Sequence, residues 1–430
     1  MLILHLSDIH FRLEEIVTPL DPNAHLRNTL VRDAEAMCVK LGKFPQAILI
    51  SGDIAFAADT KEYEFARAWL ELLVERCKCK LEDVFIVPGN HDVVRSKAGE
   101  PLVQALHASI KSASAVAIDA TLRGFLTNPE SSRVLYGPLD SFNLFAGQFF
   151  CDVSAPMRTM ASRDLVMNDG SILRLIGMNS ALVSSQADKP GDLFVDPACF
   201  QITKERGVEH LVACHHPYTW LRQGEVLKSH LDDVAKLQLF GHDHTNRVER
   251  LHGAVRIAAS AAHPDRTEHG WEPGYNLIEL QINNVGSERK LNINAHIRVW
   301  QPNPGQFRSK MDGEKDVFTH EVRLDSWVPI PTSPFEPSSA TPHIAKTKDL
   351  TLAAVNKTAP MDSLRSISVR FFKLSLSQKS EIAGKLDLLE DEDVNQPDFE
   401  RYRSVFMRAQ ARNLLEQLDN EINAALAAKK

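Results

Sequence analysis

The sequence predicts an α/β fold with a largely buried sheet, followed across a proline-rich stretch by a small all-helical module. Three observations carry this. Short runs rich in Ile, Val and Leu recur through about the first 300 residues, each ending in polar residues, and their length suits strands covered on both faces. Helix-like stretches lie between some of them, an alternation that implies α/β architecture. The segment VPIPTSPFEPSSATP, Val328 to Pro342, then places five prolines among Ser and Thr with little to bury, and the pattern beyond it is helical.

Taken in order, LILHLS (Leu2–Ser7) and AILIS (Ala47–Ser51) read as the first two strands. From Glu62 to Arg76 the residues Tyr63, Phe65, Trp69, Leu72 and Leu73 recur at helical spacing. VFIVP (Val84–Pro88) is a third strand. The segment of about 94–171 breaks the alternation and is read as a partly helical insertion lying over the sheet edge. LRLIGM (Leu173–Met178), HLVAC (His210–Cys214) and KLQLF (Lys236–Phe240) resume the strands. LNINAHIRVW (Leu291–Trp300) and FTHEVRL (Phe318–Leu324) are read as completing the second sheet. The expected organisation is a larger domain over 1–327, a Pro/Ser-rich linker over 328–358 and a helical module over 359–430. In the module, Ser377 is expected to cap a helix through Ile382 and Leu386. A second stretch shows Phe399, Tyr402, Phe406 and Ala409, and a third puts Leu414, Leu415, Leu418, Ile422 and Leu426 on one face. The acidic run LEDED (Leu389–Asp393) reads as a solvated loop.

At 430 residues the chain exceeds one ordinary core. Its net charge of -7 argues against a protein that coats polyanions, which carries a basic stripe or tail. An enzyme acting on phosphates stays open, because bound metal supplies positive charge locally. The 6 cysteines show no metal or redox spacing, only C-K-C at Cys77 and Cys79, and are expected as reduced thiols. MLILHLSDIH has no basic leader and no run of about 18 apolar residues occurs, so the expectation is a cytoplasmic protein without a membrane segment.

Strand ends carry the chemistry. D-I-H brings Asp8 and His10, G-D brings Asp53, and G-N-H-D brings Asn90, His91 and Asp92. H-H-P brings His215 and His216, and G-H-D-H brings His242 and His244. In a buried α/β sheet the residues past the strands' C-terminal ends collect in one crevice. Each motif alone has an ordinary turn or surface explanation; their conjunction, in order and each after a strand-like run, does not. Nitrogen and oxygen donors without thiolate suit divalent Mn, Fe, Ni or Zn. The set is too large for one tetrahedral centre and fits two ions sharing a carboxylate. Such a pair clamps the attacking and leaving oxygens of an in-line displacement and activates water near neutral pH, which is phosphoester hydrolysis.

These blocks resemble the five motifs of the calcineurin-like metallophosphoesterase superfamily, over roughly residues 1–300. The resemblance implies a pair of mixed sheets sandwiched by helices, with no ligand position missing. Carried over, it implies that Asp8, His10 and His244 bind one metal and Asn90, His215 and His242 the other, with Asp53 bridging. Two divalent ions are expected, Mn2+ favoured over Fe2+/Fe3+, Ni2+ or Zn2+. His91 resembles the family's histidine that contacts the substrate phosphate and helps the leaving oxygen depart, and Asp92 its orienting partner.

His216, which should point opposite to its neighbour on an extended chain, is left a substrate-side or structural role. His5 reads as a core or supporting histidine and Cys214 as core. Arg12, His263 and Arg266 read as substrate contacts or solvated surface residues. The blocks RFFKLSLSQKSEIAGKLDLLEDED and FERYRSVFMRAQARNLLEQLDNEI resemble small effector-associated helical domains of bacterial conflict and signalling systems, which recruit a protein partner; the other reading is a bundle that packs on the larger domain or dimerises. The expected activity is a phosphodiesterase acting on a phosphoester such as a nucleotide. The alternatives are a nuclease for short or single-stranded nucleic acid, and a partner-gated adaptor.

Overall fold

Burial fixes the first strand, β1 (Leu2–Leu6), whose residues are all inaccessible to solvent. It runs parallel to β2 (Ala47–Ile50), and β2 runs parallel to β3 (Val84–Ile86). Parallel neighbours need crossovers. These are α1 (Leu13–Ile16) with α2 (Ala24–Leu41), then α3 (Thr60–Arg76). Asp59 caps α3 and Glu62 closes the capping box, while Tyr63, Trp69 and Leu73 face the core as expected. The computed structural model describes residues 1–18, 21–154, 158–267, 270–285, 288–327 and 361–428; the expected linker over 328–358 lies outside the described residues.

The helical insertion is α4 (Arg95–Ala98), α5 (Pro101–Ser112), α6 (Ile118–Thr127), α7 (Pro129–Tyr136) and α8 (Asp140–Ala146). The short helix after it, Gly147–Phe149, contacts β3, the last strand of its sheet, and α8 contacts α3. The segment read as insertion also contains a strand, β4 (Met160–Val166). Its burial alternates, with Arg163 and Asp164 interrupting the apolar pattern, so it lacks the continuous run of a covered strand. The second sheet continues through β5 (Ile172–Met178), β6 (Val208–Cys214), α9 (Gly224–Val234), β7 (Ala235–Phe240), β8 (Arg247–Arg250) and β9 (Val255–Ala258), in the order β4-β5-β6-β7-β9-β8.

The later strands correct an expectation. β11 (Glu288–Pro302) and β13 (Phe318–Leu324) extend the first sheet, not the second. The reason is β10 (Gly274–Val285), which pairs antiparallel with β1 and turns back into β11; β12 (Gly305–Ser309) and β13 then pair with β11. Two mixed sheets flanked by helices result.

The C-terminal region is a four-helix unit: α10 (Met361–Phe371), α11 (Leu376–Lys385), α12 (Asp398–Ala411) and α13 (Leu415–Ala427). Leu364, Phe371, Ile382, Tyr402, Phe406, Leu418 and Ile422 form its core. The cap of α11 is Ser375, not Ser377: its hydroxyl accepts from Gln378 N–H while the Gln378 side chain returns to Ser375, a reciprocal box only the earlier serine can form. The acidic run is not simply solvated either. Asp393 is buried, gripped by Arg408 and accepting the Glu390 N–H at 2.9 Å. The unit packs on the larger domain. Phe150 sits 5.8 Å from Phe406, Arg158 pairs with Glu400 and Arg403 with Asp152, each at 2.6 Å, and Lys373 pairs with Glu71 at 2.9 Å. All 6 cysteines are free thiols, as expected. No helix of the described residues is long and apolar enough to cross a membrane.

Candidate metal centre

Parallel strands end on one side, and that is where the polar tips go. The loops after β1 and β2 lock together through their backbones, as do those after β6 and β7: Asp8 N–H donates to Gly52 O at 3.0 Å, His10 N–H to Asp53 O at 3.0 Å, and Gly241 N–H to His215 O at 3.0 Å. Asp8, His10, Asp53, His242 and His244 adopt positive φ of 51, 50, 56, 69 and 55°. Asp and His tolerate this region better than most residues, yet each costs roughly 1–3 kcal/mol unless its surroundings enforce it. Five such residues in one place mark a site held for a purpose. Two glycines make the approach possible. A Cβ on Gly89 would fall on the Asp53 carboxylate, and one on Gly241 on the Ser7 hydroxyl.

The side chains converge in overlapping groups. Asp8, His10 and His244 form one; Asp8, Asp53 and His215 another; His10, Asp53 and His91 a third; and His215, His216 and His242 a fourth. Within each, the candidate ligand atoms lie within 4.8 Å of one another. Asp53 Oδ2 is 3.3 Å from His10 Nε2 and 3.2 Å from His215 Nε2. Asp8 Oδ1 faces His244 Nε2 at 3.3 Å. Asn90 Oδ1 lies 3.1 Å from His215 Nε2 and 3.2 Å from His242 Nδ1. His215 gives Nδ1–H to the Ser51 carbonyl at 2.8 Å, which turns Nε2 toward the cluster.

Electrostatics reflect the crowding. Burial pushes the Asp8 and Asp53 carboxyls up, but the surrounding histidines, His244 and His215 foremost, carry both well below the carboxylate range. Burial works against a charged His215, yet Asp53 and Asp8 raise it to about 9. Burial, reinforced by neighbouring histidines, takes His242 to about 4. His216 Nε2 is buried without a hydrogen bond, and Asp8 Oδ1 has His244 Nε2 beside it. Converging carboxylates, an amide oxygen and imidazoles without thiolate are a donor set that fits divalent cations.

The other expected residues divide. Asp92 does not touch the His91 ring. Its Oδ2 accepts from Asp53 N–H at 2.8 Å and Gly89 N–H at 3.0 Å, and its Oδ1 from Ala55 N–H at 3.2 Å and Tyr63 hydroxyl at 2.9 Å. His91 instead gives Nδ1–H to the Phe56 carbonyl at 2.8 Å. His216 does not point away from His215: the rings sit 4.7 Å apart and His216 lies 4.5 Å from His242, because β6 has ended and the alternation with it. Its Nδ1 meets Ser180 Oγ at 2.8 Å. His263 is no solvated residue; it is 3% exposed, with Nδ1 on the Ile9 carbonyl at 2.7 Å. Arg266 turns to the Pro22 carbonyl. Arg12 pairs with Asp265 at 3.3 Å and lies 4.0 Å from the Phe56 ring. His5 is a satisfied core histidine between Ser51 and Asn276, and Cys214 is buried, both as expected.

Sequence reasoning missed Phe56, stacked on His91 at 4.8 Å, Trp220, edge-on to His242 at 4.2 Å, and Arg95, whose Nη2 is 3.1 Å from His91 Nδ1. It also missed Glu62, whose carboxylate accepts the N–H groups of Leu13, Phe56, Ala57 and Asp59. Only the spacing of Glu62 after Asp59, a capping box, gave any signal.

The family profile of the calcineurin-like phosphoesterases matches residues 1–246, and that of the GTPase-associated adaptor domain matches residues 363–424. No curated protein matches the chain. Among solved structures, Vps29 of Chaetomium thermophilum is 11% identical, with 75% of this chain and 99% of that one covered and a TM-score of 0.28. Vacuolar Protein Sorting 29 of Cryptosporidium parvum is 14% identical, with 75% and 98% covered and a TM-score of 0.27. GAP50, the anchor in the inner membrane complex of Plasmodium, is 12% identical, with 76% and 90% covered and a TM-score of 0.37.

Proposed function

The chain belongs to the calcineurin-like phosphoesterase family, and from that premise we propose that it is a two-metal phosphodiesterase. Asp8, His10 and His244 would hold one divalent ion and Asn90, His215 and His242 the other, with Asp53 available to both sets. One observation supports this best: a single Asp53 oxygen, Oδ2, faces His10 at 3.3 Å and His215 at 3.2 Å, so the two ligand sets meet at one atom.

When bound, such ions supply an activated water and positive charge for the phosphoryl oxygens. The rest falls to the chain. His91, its Nδ1 committed to the Phe56 carbonyl, keeps Nε2, which as the second N–H of the imidazolium would hold the phosphoryl group and pass its proton to the leaving oxygen. Asp92 fastens the Asp53 loop to the Gly89 turn. Trp220 walls His242 and limits water beside it. The adaptor-domain match over 363–424 supports a second element, recruitment of a protein partner by the helical unit.

The test is hydrolysis of bis-p-nitrophenyl phosphate by Mn2+-loaded protein, with calorimetric titration of the ion. Asp53→Ala should lose both the binding and the turnover, and His91→Ala the turnover alone. Failure of the wild type to bind the ion, or normal turnover by both variants, refutes the proposal.

A further inference from the structure

Two guanidinium groups gather around the ring of Phe56. Arg12 lies 4.0 Å from the ring centroid and Arg95 5.8 Å, and the ring itself stacks on His91 at 4.8 Å. Arg12 has a counter-ion in Asp265 at 3.3 Å. Arg95 is exposed, and no carboxylate among the described residues forms an ion pair with it. Its Nη2 rests 3.1 Å from His91 Nδ1. That nitrogen is already engaged with the Phe56 carbonyl at 2.8 Å, so it offers the guanidinium no acceptor. In a chain of net charge -7, an uncompensated arginine is thus held against the histidine that faces substrate.

Arg95 also sits on the wrong side of the imidazole to serve the reacting phosphoryl group. It meets Nδ1, whereas Nε2 is the nitrogen left for that group. What it can reach is a neighbouring anion. Arginine suits the purpose, because its planar fork pairs with two oxygens of a phosphate and stacks on an aromatic face without losing its donors.

We infer that Arg95, held against His91 and the Phe56 ring, forms a second anion subsite beside the reacting centre, so that the preferred substrate is a phosphodiester carrying a further phosphate, as a nucleotide chain does. The inference rests on the phosphodiesterase reading of the same centre. It adds what that reading lacks, a feature the substrate must have.

A pair of chromogenic esters isolates it: thymidine 5′-(p-nitrophenyl phosphate), and the same ester bearing a 3′-phosphate. Hydrogen bonds to charged groups bring discrimination of about tenfold to a hundredfold. Wild-type protein with Mn2+ should therefore favour the 3′-phosphorylated ester in kcat/KM by at least about tenfold. Arg95→Gln should bring their ratio near one by lowering the rate with the 3′-phosphorylated ester, and Arg95→Lys should restore part of the preference. Because Arg95 is exposed, the substitution leaves packing intact, which a thermal melt checks.

Binding gives a readout independent of turnover. By calorimetry, thymidine 3′,5′-bisphosphate should bind the wild type more tightly than thymidine 5′-monophosphate, and Arg95→Gln should abolish the difference. A wild type that prefers neither ester nor the bisphosphate overturns the subsite, as does an Arg95→Gln protein that keeps the preference. If neither ester is hydrolysed while the bisphosphate preference holds and depends on Arg95, the subsite stands and the phosphodiesterase reading falls.

Discussion

Replacing Asp92 by asparagine separates a structural clasp from a chemical partner. In the native protein Oδ2 takes the N–H groups of Asp53 and Gly89 at 2.8 and 3.0 Å, and Oδ1 takes the Ala55 N–H at 3.2 Å and the Tyr63 hydroxyl at 2.9 Å. Asparagine offers one oxygen. Turned toward Asp53 and Gly89, it presents its NH2 to Ala55 and Tyr63. The hydroxyl can rotate to accept, but the Ala55 N–H cannot. One buried donor is left without a partner, at about 1–3 kcal/mol. Asp92→Ala strands three N–H groups, on the order of 3–9 kcal/mol before relaxation, comparable to the stability of a whole domain. Thermal melts of metal-free protein and amide exchange at Asp53, Ala55 and Gly89 measure this. Exchange should quicken chiefly at Ala55 in Asp92→Asn and at all three sites in Asp92→Ala, where ion affinity should also fall because Asp53 loosens. If Asp92 instead tuned the His91 proton, exchange would stay put while the pH–rate profile moved. That pattern refutes the clasp.

Gly89→Ala drives a Cβ into the Asp53 carboxylate and should abolish calorimetric ion binding, whereas Gly124→Ala, with open space around it inside α6, should stabilise by about 0.5–1 kcal/mol. Arg67→Ala removes donors to the Val369 carbonyl at 2.8 Å and to Gln148; amide exchange across 361–371 should rise, reflecting about 1–3 kcal/mol of lost docking. The hydrogen bond from Arg408 holds the Asp393 carboxyl below its ordinary value. Its folded pKa is depressed, so its contribution is present above about pH 4 and fades as pH falls through the lower folded value. Amide exchange in α11 and α12 should quicken on acidification from pH 5 to 3, and Asp393→Asn should flatten that dependence.

What the sequence disclosed follows from which interactions are local. β1, β2 and β6 are covered on both faces, so their apolar runs are continuous and legible. β10, GYNLIELQINNV, interleaves Asn, Glu and Gln with its apolar residues and went unread. Without it nothing said that β11 would join β1's sheet, because that placement is a pairing between residues such as Leu4 and Leu277. The convergence of these side chains was legible because each sits at the end of a strand whose direction its neighbours share. The errors at the site were errors of adjacency. Asp92 was paired with His91 because they are consecutive, but a tight turn sends one carboxylate back under the loops and one ring forward. His216 was set opposite His215 by strand alternation, which ends at Cys214. Phe56 and Trp220 carry no motif at all; only the folded loops bring their rings against the histidines.

Helix α3 joins what the chain keeps apart. At its first turn Glu62 gathers the N–H groups of Phe56, Ala57 and Asp59, and Tyr63 reaches Asp92. The loop that backs His91 is therefore fixed from the helix rather than from the sheet. One to two turns later the same helix holds the C-terminal unit, through Arg67 on Val369 at 2.8 Å and Glu71 on Lys373 at 2.9 Å. Tyr63 also stacks on Phe145 at 5.0 Å, and Phe145 lies 5.4 Å from Phe149, next in the chain to Phe150, which packs 5.8 Å from Phe406. Helices are stiff over so short a span, and these rings leave little room for slack. A force that lifts the C-terminal helices must either break the Arg67 and Glu71 contacts or move the turn that positions Phe56. The exchange rates of Phe56 and Ala57 in Arg67→Ala distinguish the two: unchanged rates mean the contacts yield first, and raised rates mean that the docked unit and the metal loops share one support.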